Sequence, residues 1–427
     1  MVERFYNDIV LLARNKNLYI HGGVPDTIDG RYELIILHCH LFVKRLIIAG
    51  SEEKKFAQEL INYMFKDFDR SLREIGVGDL SVGKKVKFMV SSYYGRVNTY
   101  QKALIKNSKI MDEALKNNLY GTIAPKENEV LIKTIYSGIS YGTEKIVYTG
   151  DVPKSQRELM KCPYQTGDFG SNIKYGYINV GKVIKGSSKY NNNHVYTLYP
   201  HQTFYTLHES ELTLIPETIP LQRCLLTANM ETAINGMWDT LPSCGDKVLI
   251  IGAGVVGFLM AYVLQSIIGI EILLVDKEKS KKKLAEKFNF NFQTSIPKNY
   301  KANIIYECSG DANIINMLNS YIKDEAIICI LSWYGNSVSK INFGKEFLSK
   351  RVKIIFSQVS KVSHNRNKYW NNYSRRELAI SLLNNNKLDY LIEKDYINFH
   401  DLPKFFSKIN KHKTFYCKAV KYKKSNV

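Results

Sequence analysis

The sequence predicts a multidomain chain of α and α/β class: an all-α N-terminal domain, then a β-rich part built around a doubly wound parallel sheet. Three observations predict it. Apolar residues recur at helical spacing until about residue 113. After about residue 128 the pattern turns to short β-branched and aromatic runs punctuated by glycine. From 222 to 358 strands alternate with helices around a glycine-rich turn. The expected divisions are 1–121, all-α; 122–221, β-rich; 222–358, the parallel sheet; and 359–427, a return to the β-rich part.

Composition bounds the reading. The chain has 427 residues and 45% apolar content, enough for two or three domains with cores of their own. Apolar runs such as "VVGFLMAYVL" stop well short of the roughly 20 residues of a membrane span. The start, "MVERFYNDIVLLARNKN", lacks a small-residue cleavage site, so no secretory signal is read and the expected location is cytoplasmic. Net charge is +20, from 60 Lys+Arg against 40 Asp+Glu. Such a chain suits an anionic membrane surface or proximity to a ribosome. The lysines are spread among Asn, Ile and Tyr rather than gathered in an Arg-rich arm, so no specific nucleic-acid partner is predicted. Seven cysteines form no C-x-x-C pair and read as reduced thiols. His38, Cys39 and His40 are consecutive, and such neighbours do not share a helix face, so no metal is assigned to them.

In the first part, "YELIILHCHLFVKRLIIAG" has helical spacing and stops at Gly50. "SEEKKFAQELINYMFKDFDRSLREIG" starts on Ser51 as a capping residue, carries acidic residues in its first turn, and stops at Gly76. "SVGKKVKFMVSSYYGRVNTYQKAL" is a further helix. Strands are expected in "NEVLIKTIYSG", "YGYINVGKVI" and "HVYTLYPHQTFYTL". The tail carries a helix in "RRELAISLLNN" and strands in "DYLIEKDYINF" and "KTFYCKAVKY".

The strongest chemical signal is "DKVLIIGAGVVGFLMAYVL". A buried strand leads into Gly252, Gly254 and Gly257, the spacing G-x-G-x-x-G, as a helix begins. Gly252 permits the tight turn, Gly254 lets a pyrophosphate approach the backbone, and Gly257 lets helix pack on strand. Val255 and Val256 open the helix, whose free N–H groups and positive dipole end favour phosphate. A second strand ends in Asp276, 24 residues after Gly252, where a carboxylate accepts from ribose hydroxyls and favours NAD. Lys277 and Lys279 follow and can hold a 2′-phosphate instead, which leaves NADP open. Later strands end at Ser309–Gly310 and Gly335, turns that can line the nicotinamide side.

With these motifs in hand, residues 126–427 resemble the medium-chain dehydrogenase/reductase superfamily. The resemblance is carried by "YSGISYGTE", "GYINVG", "NMETAINGMWD", "GDKVLIIGAGVVG", "EILLVD" and "FSQVSKV". S-G-I-S-x-G-T-E, P-H-Q and N-M-E-T-A resemble the bacteriochlorophyllide dehydrogenase-like branch. The resemblance implies a GroES-like catalytic part, a Rossmann NAD(P)-binding part and a homo-oligomer. It also implies hydride transfer between nicotinamide and an unknown small carbonyl or alcohol. Zinc members use a Cys, the His of G-H-E and a further Cys or acid. Here those positions hold Tyr141, Tyr177 and Ala228, and the four-cysteine lobe is missing, so no zinc is expected. Thr143 falls at the proton-relay hydroxyl and Thr232 at the nicotinamide-side threonine. Tyr141, Thr143, Tyr177 and His201 are the candidate catalytic donors, with Glu144 and Glu231 as acidic candidates. Thr143 capping a turn, and His201 as an ordinary strand histidine, are the competing structural readings. Little precedes this loop where the superfamily has a hairpin, so the catalytic part reads as truncated at its start.

Residues 1–121 resemble the ubiquinol–cytochrome c chaperone family, through "HGGVPDTIDGRYELIILH", "DFDRSLREIGVGDLSVGKKVK" and "YGRVNTYQKAL". That family is all-helical and non-enzymatic and assists cytochrome b in assembly of the bc1 complex. The resemblance implies cytochrome b or bc1 assembly intermediates as partners, and a place at the inner face of the inner membrane as the alternative to the cytoplasm. Asp26, Asp29 and Arg31 sit in a Gly/Pro/Asp-rich loop from His21 to Gly30 and read as an interaction surface or a structural network. Two functions follow for the whole chain: an oxidoreductase fused to a chaperone module, or an assembly protein whose dehydrogenase-like half is auxiliary or inactive.

Overall fold

A computed structural model describes residues 1–20, 22, 24–74, 78–106, 111–112, 114–115, 118–119, 125, 127–170, 173–186, 188–411 and 416–422. His21, Gly76 and the 121/122 division lie outside the described residues.

Five helices open the chain: α1 (Val2–Ala13), α2 (Lys16–Ile20), α3 (Ile28–Ala49), α4 (Ser51–Glu74) and α5 (Asp79–Lys106). In α4, Leu60, Met64 and Phe68 are four residues apart, so one stripe of that helix faces Ile9, Leu34 and Cys39 in a shared core. Thr27 caps α3, its hydroxyl accepting from the Gly30 N–H at 3.0 Å. Ser51 proves to be the first residue of α4 rather than its cap. A single extended residue, Gly50 at φ 169°, separates α3 from α4 and leaves no room for a separate capping turn. Arg96 of α5 pairs with Glu33 of α3. Burial nevertheless pushes the Glu33 carboxyl up to about 7, with Arg96 only partly offsetting it.

The rest of the chain forms two sheets. In chain order the strands are β1 (Glu129–Ile139), β2 (Asn179–Lys185), β3 (His194–Thr197), β4 (Phe204–His208), β5 (Thr213–Leu214), β6 (Lys247–Ile251), β7 (Glu271–Val275), β8 (Asn291–Gln293), β9 (Ala302–Glu307), β10 (Ile322–Ile330), β11 (Lys353–Phe356), β12 (Ile397–Asn398) and β13 (Lys418–Lys421). The first sheet runs β12-β13-β1-β2-β3-β5, with β4 also paired to β1. The second, entirely parallel, runs β11-β10-β9-β6-β7-β8. Its order reverses between β6 and β9, the switch point where open parallel sheets bind ligands.

One core joins the two sheets. Val180 and Tyr196 of the first sheet, Met230 and Ile234 of the Thr227–Thr240 helix, and Ile250 of the second are all buried in it. The expected strand in "DYLIEKDYINF" shrinks to Ile397–Asn398. The preceding segment instead winds into a 3₁₀ turn, Asn386–Leu391, which buries Leu388 and Leu391, and after it Ile392 makes only an isolated parallel bridge to Cys417. The stretch "YSGISYGTEKIVYTG" is the end of β1 followed by a helix, Tyr141–Tyr148. Among the described residues, no helix is long and apolar enough to cross a membrane.

Candidate functional site

The carboxyl ends of β6, β7, β9 and β10 open into a cleft of about 660 Å³, closed on its other side by the turn after β1. Its walls include Gly252, Gly254, Val255, Val256, Asp276 and Ser309, as the glycine motif predicts, together with Tyr141 and Thr143. Gly257, Thr232, Tyr177 and His201 are not among the wall residues.

The three glycines have three different reasons. Gly252 has φ +99°, and a Cβ there would lie 2.6 Å from the Cys308 carbonyl carbon. A Cβ on Gly257 would overlap the Gly252 carbonyl oxygen, so this glycine serves the packing of helix on strand. Gly254 has no neighbour within 4 Å of a Cβ and an ordinary extended backbone at φ −87°. Nothing within the protein demands a glycine there. The open space in front of it is what an approaching ligand backbone needs.

Asp276 closes the β7 end. Its Oδ2 accepts from the Ala253 N–H at 2.8 Å and from Lys281 Nζ at 2.5 Å, and its Oδ1 accepts from the Glu278 N–H at 3.0 Å. Burial works against its ionisation. Lys281 and the two backbone N–H groups outweigh burial and hold the carboxyl below its usual range. An ionised acceptor and an ammonium donor thus stand side by side at the β7 end of the cleft. Ser309 follows β9, and both its N–H and its hydroxyl donate to Glu307 Oε1, at 2.6 and 2.5 Å. Glu307 is fully buried and takes the Tyr334 hydroxyl on its other oxygen at 2.6 Å. Its carboxylate fixes the turn that lines the cleft.

On the opposite wall the predicted catalytic residues separate. The Tyr141 hydroxyl donates to the Ile409 carbonyl at 2.6 Å, so only its ring is left to face the cleft. Tyr177 lies behind Thr143. Burial pushes its phenol up to about 12, and hydrogen bonds from the Ser140 and Thr143 hydroxyls pull it partly back. Three hydroxyls therefore meet at the edge of the cleft. His201 is part of a buried chain. Its Nε2 lies 3.0 Å from Glu144 Oε2 and its Nδ1 2.7 Å from Ser137 Oγ, which in turn lies 2.9 Å from the Tyr422 hydroxyl. A carboxylate only accepts, so Nε2 carries the proton. Glu144 Oε1 accepts from the Ser140 N–H at 3.0 Å, which pins the start of the Tyr141–Tyr148 helix. Thr232 donates to Ala228 O at 3.0 Å on its own helix. Glu231 is buried between Arg375 and Arg376, each 3.3 Å away; burial pushes its carboxyl up and the two arginines offset that in part, so it reads as a structural triad.

At the positions that resemble zinc ligands, Tyr141 and Tyr177 hold hydrogen bonds and Ala228 is buried in its helix. Among the described residues, no three His, Cys, Asp or Glu side chains converge as a metal site.

The wall residues that sequence reasoning missed include Lys281, Asn229, Trp333 and Cys417. Lys281 was legible, five residues beyond Asp276 in a lysine run. Trp333 lay in a strand end already noted. Cys417 comes from the far tail, which no local signal connects to the cleft. Burial pushes its thiol up to about 12, so it stays protonated.

In the helical module, Arg31 Nε pairs with Asp26 Oδ1 at 2.6 Å, and Asp29 falls in the first turn of α3. This favours the structural reading of that trio.

Comparisons with known proteins fall on two stretches of the chain. The ubiquinol-cytochrome C chaperone family model matches residues 21–140, which include α3 to α5 and β1 as far as Ser140. Mouse ubiquinol-cytochrome c reductase complex assembly factor 1 is 19% identical over 155 residues, 35% of this chain and 52% of the relative. The chain spans about half the length of the curated relatives it matches. Over the sheets, S. aureus TarJ in complex with NADPH superposes with a TM-score of 0.54 at 19% identity, covering 70% of this chain and 92% of that one. 2R,3R-butanediol dehydrogenase from Bacillus subtilis gives 0.55 at 14% identity, covering 70% and 93%. At such identities the likeness shows the fold alone. The chain joins a stretch that matches the chaperone family to a medium-chain dehydrogenase/reductase fold.

Proposed function

We propose that the chain is a two-module protein. Residues 1–121 form a chaperone-like module serving assembly of the cytochrome bc1 complex, with cytochrome b or a bc1 intermediate as partner. The remainder is a zinc-independent oxidoreductase that binds NAD, with NADP as the alternative. Its parts are the β-rich 122–221, the nucleotide-binding 222–358 and the returning 359–427. The observation that carries the cofactor reading is the open face of Gly254 between the switch-point cleft and the Asp276–Lys281 pair. Work in the cytoplasm, or at the inner face of the inner membrane, suits both modules.

A bound nicotinamide dinucleotide supplies or takes a hydride. This chain's residues hold it: the Gly252–Val256 turn receives the pyrophosphate, and Asp276 accepts from the adenosine ribose while Lys281 donates to it. Beyond the Asp276–Lys281 pair the walls include the uncharged Tyr141, Asn229, Ser332 and Trp333, and also Asp311, which follows the Gly310 N–H that donates to Ser332. The expected substrate is a small carbonyl or alcohol. Thr143 would exchange a proton with it, its hydroxyl meeting the Tyr177 phenol, which Ser140 also meets.

The test uses the full chain titrated with NADH and NADPH, followed by protein fluorescence. One of them should bind, and Gly254→Val should weaken that binding. Unchanged affinity would sink the cofactor site. Deleting residues 1–121 should lower assembled bc1 complex and spare other respiratory complexes. A specific observation favours a second reading, an assembly protein whose dehydrogenase-like half binds nucleotide without turnover. The Tyr141 hydroxyl is already spent on Ile409, and His201 lies behind the wall. Binding without oxidation or reduction of any carbonyl or alcohol would select it.

A further inference from the structure

We infer that Gln202 is a positioning residue that ties the helical module to the wall of the cleft, so that cofactor occupancy and the start of α3 are linked. The inference rests on the cofactor reading above. Gln202 belongs to the turn between β3 and β4, next to His201, and is buried at 7% exposure. Its side-chain Nε2 donates to the Asp26 carbonyl of the helical module at 3.0 Å. Its own carbonyl accepts from Thr134 Oγ1 of β1 at 2.5 Å. Its backbone N–H serves the Tyr422 hydroxyl.

From this residue the bonds continue both ways. Toward the cleft, Tyr422 meets Ser137, Ser137 meets His201, His201 meets Glu144, and Glu144 holds the N–H of Ser140, a wall residue. Toward the helices, Asp26 sits in a tight unit. Thr27 N–H donates to Pro25 O at 2.9 Å, Thr27 caps Gly30, and a Cβ on Gly30 would overlap the Pro25 oxygen. This unit is the first turn of α3 and the segment leading into it, so its position sets where α3 begins.

Glu144, Ser137, Thr134 and Gln202 are all buried. Moving any one of them alone strands a buried donor or acceptor, which is costly. A change at Ser140–Thr143 on cofactor binding would therefore carry the set with it. Linkage is reciprocal, so a partner that grips the α3 end of the helical module alters cofactor affinity by the same factor that cofactor alters partner affinity.

Hydrogen exchange on the full chain, with and without saturating NADPH or NADH, tests this. Slowed exchange at 252–257 reports the cofactor. The inference expects exchange at 28–33 to slow as well, by about threefold or more. Protection at 252–257 with no change at 28–33 overturns the link and leaves the cofactor reading intact. No protection at 252–257 sinks the cofactor reading itself, and the link with it. Gln202→Met keeps the shape and removes the donor. It should retain protection at 252–257 and lose it at 28–33. Retention at both overturns the role of Gln202. Should that variant not fold, the wild-type comparison decides alone.

Discussion

Asp276 and Lys281 form a nearly buried ion pair at the β7 end of the cleft: Oδ2 and Nζ lie 2.5 Å apart, and each side chain is 10% exposed. Lys281→Met leaves the carboxylate with only its two backbone donors. The variant should be about 1–3 kcal/mol less stable and bind dinucleotide less tightly. Asp276 is held below the usual carboxylate range, so its bonds contribute fully above the unfolded value of about 4. Their contribution is lost as pH falls through the depressed folded value. Urea unfolding between pH 6 and 3 should show a shallower acid loss in Lys281→Met than in the wild type. Equal losses would show that the pair contributes nothing to acid stability.

Gly254 and Gly257 should behave oppositely. A Cβ at Gly254 has no protein atom within 4 Å, so Gly254→Val should keep a melting temperature close to wild type while cofactor affinity falls by about tenfold or more, roughly 1.4 kcal/mol. Gly257→Ala drives a Cβ into the Gly252 carbonyl and should cost about 1–3 kcal/mol of stability before any ligand is added. Calorimetry with and without cofactor separates the two. Reversed behaviour would mean the ligand approaches elsewhere.

The Glu231 triad yields a stability prediction. Arg375→Leu leaves Glu231 with only Arg376 and also strips Asn235 and the Val359 carbonyl of a donor. Loss of about 3–5 kcal/mol is expected, read from chemical denaturation of the full chain. A change below ~1 kcal/mol would mean that Glu231 sits neutral in the fold.

Glu33 gives the opposite pH sign to Asp276. Its folded value, about 7, lies above its unfolded one, so the folded state holds the extra proton between about pH 4.5 and 7. Stability of the helical module should decline as pH rises through that window and then level off. Glu33→Gln should flatten the slope, measured by the α-helical circular dichroism melt at pH 5, 6, 7 and 8. A wild-type melt independent of pH across the window would contradict a buried, proton-holding Glu33.

Much of this was legible in the residues, for physical reasons. Helix period, strand run and the glycine spacing are local signals, so the helical start, the parallel sheet and the Gly252–Val256 turn follow from short windows. What was not legible shares a cause as well. Tyr141, Thr143, Tyr177 and His201 group together by their donor chemistry, and Thr143 by its superfamily position. Where each hydroxyl points is decided by partners far along the chain: Ile409 for Tyr141, and Ser137 with Glu144 for His201. The same holds for Glu231, whose arginines lie more than 140 residues away. Cys417 reaches the cleft only because β13 pairs with β1.

That last pairing bears on how the molecule is made. Ile139 of β1 lies opposite Lys418 of β13, so the end of β1 that leads to the cleft wall, beyond the stretch paired with β4, gains its second neighbour only after nearly all of the chain has been synthesised. The helices α1 to α5 pack on one another through contacts close in sequence and can close early. On a ribosome, the chaperone-like module would therefore be folded while the dehydrogenase-like half was still waiting for its tail. During that interval the helical module stands alone, with Asp26 not yet held by a finished turn at Gln202.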